Sequence, residues 1–393
     1  MVKETVTFRN IPLSTPLVKG HAWKYVKDCL DTAWVSSAGA YVDRFESAVA
    51  HYVDRRYAIA CVNGTAALHT ALMVMDLKPG EEVIMPDLTF ASPAFAIKYM
   101  GAFPVFIDVE KDHWQIDPQK LKDFLAAGCR RQGEKLVDRK TRRALKGILP
   151  VHLLGHPCDM DAVIKLAKKY KLWVIEDAAE SFGAQYKSEK VASHADISCL
   201  SFNGNKIITC GGGGMILTDN KKWAQQARYL TTQAKDDPLE YIHHAVGYNY
   251  RLTNVAAALG LAQMEHLNEF INKKRAIARR YQQGLGGVEG LSVFKEAPWA
   301  RSTFWLNTIL VDQRNFGLTS RALLKVLAKR QVQARTLWHP LSGLAVFRDC
   351  YAHGIEESTR LYQQALSLPS SVHLTDQDQD HVIDLIQEAG QRR

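Results

Sequence analysis

Residues 57–75 read YAIACVNGTAALHTALMVM. Tyr57–Val62 is a short apolar run of the kind that forms a buried strand, and Asn63-Gly64-Thr65 breaks it sharply. An alanine-rich helix, AALHTALMVM, follows at once. A strand delivered into a helix across so short a turn is the repeating unit of an α/β sheet. The alternation continues outward. Further strands are predicted at Glu82–Met85, Pro104–Val109, Gly147–Val151, Leu172–Glu176, Ile197–Ser201 and Gly214–Thr218, with helices such as Met160–Tyr170 between several of them. Upstream, residues 20–34 place Trp23, Val26, Lys27 and Leu30 at helical spacing, and Tyr41–Val53 repeats the pattern with Phe45, Val49 and Tyr52. The fold class expected is α/β, a mostly parallel central sheet covered by helices on both faces.

Downstream the pattern changes. A helix at Thr253–Leu267 runs on into a basic segment ending near Tyr281, a hinge between domains. A strand-like run (Thr303–Val311), a helix (Ser320–Arg330) and a last helix near His381–Ala389 then predict a smaller α+β domain. The expected division is 12–265 for the large domain and 266–393 for the small one. Arg130–Arg143 is polar and basic, and reads as a solvated surface loop.

The bulk composition narrows the function. With 47% hydrophobic and 23% charged residues, the 393-residue chain is an ordinary globular protein. Its net charge of +9 suits small anions such as phosphates and nucleotide diphosphates. Nucleic acid is not expected, because the charge forms no long block and no helix-turn-helix, zinc-finger or RNP pattern is present. Seven cysteines without a CxxC pair suit a reducing cytoplasm, and no metal is expected. The opening MVKETVTFRN has no apolar core, so it is not read as a secretory signal. No uncharged apolar run reaches the roughly 18 residues of a membrane span. A cytoplasmic protein with no membrane partner is expected.

Four segments carry chemistry. Asn63-Gly64-Thr65-Ala66-Ala67 starts a helix, where free amides and the helix dipole make an anion site; the same residues also suit a plain capped turn. Val174–Ser181 (VIEDAAES) delivers Asp177 at the C-terminal end of a strand, where α/β sheets place ligands. An acid there can hold the pyridine nitrogen of pyridoxal phosphate (PLP) protonated, with a Coulomb term of roughly 5 kcal/mol at about 3 Å before desolvation. Capping the next helix is the alternative role. Ser201-Phe202-Asn203-Gly204-Asn205-Lys206, followed by Gly211–Gly214, offers a lysine in a glycine-flanked loop after an apolar strand, a Schiff-base candidate. Ser201 sits where its hydroxyl reaches a phosphate. Gly247–Asn254 (GYNYRLTN) combines amide, phenol and guanidinium groups suited to phosphate or carboxylate.

In this order, with PDLTFASPAFAI, PVFIDV, PVHLLGHPCDMDAV and ALSLPSS, the chain resembles the DegT/DnrJ/EryC1/StrS sugar aminotransferases from about Ile11 to about Ser371. The resemblance implies the aspartate-aminotransferase-like fold type I and the cofactor PLP, with pyridoxamine phosphate as its second form. It makes Lys206 the lysine that bonds the cofactor and Asp177 the pyridine-nitrogen partner. Phe90 becomes the aromatic on the ring face, and Gly64, Thr65 and Ser201 become phosphate contacts. Glu180 falls near the cofactor's phenolic oxygen, where the family often has glutamine. Asn249 matches a phosphate ligand given by a neighbouring subunit, which implies a homodimer with shared sites. Trp34, Ser37, Arg251 and His339 are candidate substrate contacts.

Within the family, WVSSAG at Trp34–Gly39, SFNGNK and the basic insert resemble the bacillosamine and legionaminic acid enzymes. That implies amino transfer from L-glutamate to C4 of UDP-4-keto-6-deoxy-N-acetylglucosamine in two ping-pong half-reactions. Three alternatives stand beside it. A related PLP sugar dehydratase would carry histidine in place of Lys206. The others are 3-amination of a UDP-3-keto-sugar and a PLP-binding regulator without catalysis.

Overall fold

A computed structural model describes residues 10–237 and 239–391, so the reading of the first nine residues as carrying no leader lies outside the described residues. The central sheet runs in the order Tyr57–Cys61, Gly214–Thr218, Ile197–Ser201, Trp173–Asp177, Ala144–Ile148, Glu82–Pro86, Phe103–Ile107 and Ala352–His353. From Ile197–Ser201 to Ala352–His353 every pairing is parallel, whereas Gly214–Thr218 is antiparallel to both neighbours. All five residues of Glu82–Pro86 are buried, as strands covered on both faces require. Successive residues serve opposite layers. Val83, Met85 and Phe106 pack with Leu72 and Ile97, while Ile84 and Val105 pack with Leu121 and Phe124.

A second, antiparallel sheet orders Leu291–Val293, Asn307–Val311, Ala365–Leu368 and Arg335–Thr336. Ile277, Tyr281, Leu323, Leu327, Val382 and Ile386 from three helices close its core. The expected boundary at 265/266 falls between two helices, but Ala352–His353 from beyond it returns to edge the large sheet.

Several expectations change. Arg130–Arg143 is not a loop: Cys129–Gln132 and Lys135–Asp138 form a hairpin that pairs with Ala144–Ile148. Its charges mask two buried apolar residues, Leu136 and Val137. The helix expected within 20–34 does form, over Ala22–Asp31; it buries Ala22 and Cys29 and leaves Trp23 (78%) and Leu30 (59%) exposed. The helix expected at Thr253–Leu267 is Asn254–Met264, and the basic segment after it is itself a helix, Leu267–Leu285. The strand expected at Thr303–Val311 begins only at Asn307.

Candidate functional site

The C-terminal ends of the parallel strands share one edge of the sheet, and a cavity of about 350 Å³ opens there. Gly64, Thr65, Phe90, Asp177, Glu180, Ser201 and Lys206, each picked out in the sequence, all line it.

At one end, Asn63 takes extended backbone and its side-chain oxygen accepts the Ala66 amide at 2.8 Å, starting the helix Gly64–Val74. First-turn amides have no carbonyl one turn earlier to bond, so those of Gly64 and Thr65 are left for an anion. Gly64 is needed for close approach. A Cβ there would stand 2.9 Å from the Ser201 Cβ and 3.3 Å from its Oγ. Thr65 donates its hydroxyl to Ser92 Oγ at 2.9 Å.

At the other end, Asp177 closes its strand with Oδ1 accepting the Ala179 amide at 3.0 Å. Burial raises its pKa, and the Ala179 N–H and the Lys206 charge oppose the rise. A carboxylate so buried gains from a cationic partner. Below it Glu176 faces the opposite layer. Burial would raise its pKa, but the His152 ring (2.7 Å) and the Ala192 amide hold the acid down to about 2, and the Ser198 hydroxyl donates to its second oxygen. His152 Nδ1 accepts the Cys158 amide at 3.0 Å, which places the ring proton on Nε2, toward Glu176.

Lys206 lies on a loop fastened to itself: the Phe202 amide donates to Gly213 O, the Cys210 amide to Phe202 O and the Lys206 amide to Asn203 O. The Lys206 side chain is 15% exposed, and its Nζ lies 3.6 Å from Glu180 Oε1. Glu180 Oε2 accepts the Leu154 amide at 2.8 Å. Burial raises the Glu180 pKa against the pull of Lys206 and that amide. Leu154 reaches it through left-handed backbone at φ 57°.

Other sequence candidates lie elsewhere. Arg251 is buried and paired with Glu46, with Asp43 3.6 Å away, so it braces the interior and does not face the cavity. Trp34, Ser37, Asn249 and His339 are exposed and do not line this chain's cavity. Among the cavity residues not singled out in the sequence are Trp305, Arg335 and Trp338, all from around the second sheet. The Trp305 ring lies under the Lys206 ammonium, 4.0 Å from Nζ to centroid. Arg335 brings a guanidinium suited to carboxylate or phosphate. Their signal is residue type: Trp305 falls within the strand-like run expected at Thr303–Val311, and Arg335 and Trp338 fall in no element expected from the sequence.

The donor set fits PLP: an amine at Lys206, a buried acid at Asp177 for the ring nitrogen, an aromatic at Phe90 and an anion cradle at Gly64, Thr65 and Ser201. Among the described residues no His, Cys, Asp and Glu cluster suits a metal, and no helix is long and apolar enough to cross a membrane.

Residues 17–387 match the DegT/DnrJ/EryC1/StrS aminotransferase family. A GDP-perosamine synthase of Escherichia coli O157:H7 is 36% identical over 379 residues, covering 96% of this chain and 98% of the relative. Another, from Caulobacter vibrioides, is 37% identical over 375 residues, covering 95% and 96%. The crystal structure of DesI, obtained in the presence of its TDP-sugar product, superposes with a TM-score of 0.87 at 26% identity, covering 98% of this chain and 93% of that one.

Proposed function

Because the chain belongs to the DegT/DnrJ/EryC1/StrS aminotransferase family, whose members work with PLP on nucleotide-linked sugars, we propose that this site moves the amino group of L-glutamate to C4 of a keto-sugar. The observation that carries the reading is the meeting of Lys206, Asp177 and the Gly64–Ser201 cradle in one cavity. Bound PLP supplies an electron sink that stabilises charge at the carbon losing its proton. Asp177 keeps that sink charged by pairing with the ring nitrogen. The Gly64 and Thr65 amides and the Ser201 hydroxyl hold the phosphate. Phe90 would cover the ring, and the Lys206 amine would take a proton from the donor's α-carbon and return it to the carbon on the far side of the transferred nitrogen. Arg335 faces the donor's carboxylate. With glutamate leaving as 2-oxoglutarate before the sugar enters, the kinetics are ping-pong.

The acceptor we propose is a UDP-linked 4-keto-6-deoxy-N-acetylhexosamine, giving an equatorial 4-amine. The Trp34–Gly39 loop, SFNGNK and the net charge of +9 support it. A second reading, a GDP-linked sugar, is favoured by the two relatives named GDP-perosamine synthase. The working unit is a homodimer, in which Asn249 and the Trp34–Ser37 loop reach the partner's cavity. The support is apolar surface left bare on one chain: Trp23, Leu30, Trp34 and Val35 on one segment, and Leu239, Tyr241 and Val246 on another. The test is incubation with glutamate and UDP- or GDP-linked 4-keto-sugars, with the product read by mass spectrometry and NMR. An amine at C3 or an axial C4 amine overturns the regiochemistry, and turnover with the GDP-sugar alone overturns the UDP assignment.

A further inference from the structure

Trp305 is 3% exposed, and its surroundings fix it at four points. Its indole N–H donates to the Asn205 carbonyl at 2.6 Å, one residue before Lys206. Its backbone N–H donates to Leu154 O at 3.0 Å, while the Leu154 N–H serves Glu180. Its carbonyl accepts the buried Lys274 ammonium at 2.8 Å, which also reaches Ser370 O at 2.7 Å. Its ring stacks on Trp338 at 8° between planes, with centroids 6.5 Å apart. What so fixed a ring presents to the cavity is one π face, and the Lys206 Nζ lies over it at 4.0 Å.

A neutral amine gains little from a π face, but an ammonium is attracted to it, the more so where water is scarce. In the transfer read above, Lys206 alternates between the two: it is neutral before it takes the α-proton and an ammonium until it gives the proton back. Glu180, 3.6 Å away, and Asp177, whose carboxyl also feels the Lys206 charge, are the acids that face it. We infer that Trp305 is a positioning residue whose ring face seats Lys206 during the interval when its amine is free of the cofactor and carries the proton. The inference rests on the aminotransferase reading for the step it serves, and on the Trp305–Lys206 geometry for the seat itself. Atoms balance without a further reagent, since one proton leaves the donor carbon, rides on Nζ and is returned.

The seat is tested first without cofactor or turnover. In 15N-labelled protein the eight indole N–H signals include one that Trp305→Phe removes. On a pH titration that signal should move with the charge on Lys206, and the movement should vanish in Lys206→Met. A Trp305 signal indifferent to Lys206→Met overturns the seat, whatever the enzyme does. The second test uses loaded enzyme and α-deuterated glutamate. Trp305→Phe keeps a ring face and should lose about twofold in the glutamate half-reaction. Trp305→Leu should lose about tenfold, with a larger deuterium isotope effect and little change in the KM for glutamate. Equal losses in both variants, or an unchanged isotope effect in Trp305→Leu, overturn the role in proton transfer. If Trp305→Leu unfolds early, the indole titration of the wild-type fold decides. A wild-type protein that transfers no amine to any keto-sugar while the titration holds would instead overturn the aminotransferase reading.

Discussion

The Glu180 carboxylate spans two partners, with one oxygen 3.6 Å from the Lys206 amine and the other on the Leu154 N–H at 2.8 Å. Glutamine can keep the amide contact and lose the charge, whereas alanine loses both. Glu180→Ala should therefore cost about 1–3 kcal/mol of stability by leaving a buried N–H unpaired. Glu180→Gln should stay within about 1 kcal/mol of wild type. Urea unfolding measures both, and equal losses would mean that the Leu154 contact contributes nothing.

Lys206→Ala should abolish transamination and the visible absorption of bound cofactor, because no other lysine lines the cavity among the described residues. Absorbance scans with and without glutamate check it. An alanine variant with wild-type rates removes Lys206 from the chemistry.

Asp177→Asn should fold and lose activity by roughly a hundredfold or more, since a neutral amide cannot hold the ring nitrogen charged. The comparison is kcat for glutamate alongside a thermal melt. Near-normal activity would leave Asp177 with the Ala179 amide as its whole role.

The proposed sharing of sites between subunits would make two inactive variants complementary. Lys206→Ala and Asn249→Ala, each depleted of activity alone, should recover about a quarter of wild-type activity when subunits are mixed and exchanged, because half the dimers carry one intact site. No recovery in verified mixed dimers refutes the partner role of Asn249.

Glu82 gives a pH dependence far from the cavity chemistry. Burial, reinforced by Asp138, pushes its carboxyl up to about 7 from an ordinary 4.5, despite Thr141 and an Arg143 guanidinium 3.6 Å away. The folded state holds this proton more tightly than the unfolded one. The contribution to stability is thus complete below 4.5 and is lost as pH rises through about 7. Melting temperatures at pH 5 and pH 8 should show that loss, and Glu82→Gln should flatten it.

The sequence made legible whatever sits close to a strand end. Gly64, Asp177, Ser201 and Lys206 follow apolar runs by a few residues, so the sheet carries them to one edge. Phe90 and Glu180 follow for the same reason. Trp305, Arg335 and Trp338 reach the cavity through packing of the second sheet, and local pattern holds no record of that. Arg251 misled because a guanidinium in a polar stretch looks ligand-bound, while its partner Glu46 lies on a distant helix. Trp23 and Leu30 do lie on the helix that their spacing predicts, but helical spacing gives the period and not which face turns inward, and both are exposed.

The antiparallel strand Gly214–Thr218 has a consequence for how the protein is made. Tyr57 pairs with Thr218 and Cys61 with Gly214, and among the described residues this strand alone joins the first strand to the rest of the sheet. While the chain is still on the ribosome, Tyr57–Cys61 emerges early with the helix Ala40–Tyr52 to pack on, but has no strand to pair with until Gly214–Thr218 has been added. The helix start at Gly64 cannot lean on Ser201 before then. In the proposed phosphate cradle Gly64 and Thr65 are made early and Ser201 much later, just ahead of Lys206, so its two halves meet only once synthesis has passed the strand that pairs them.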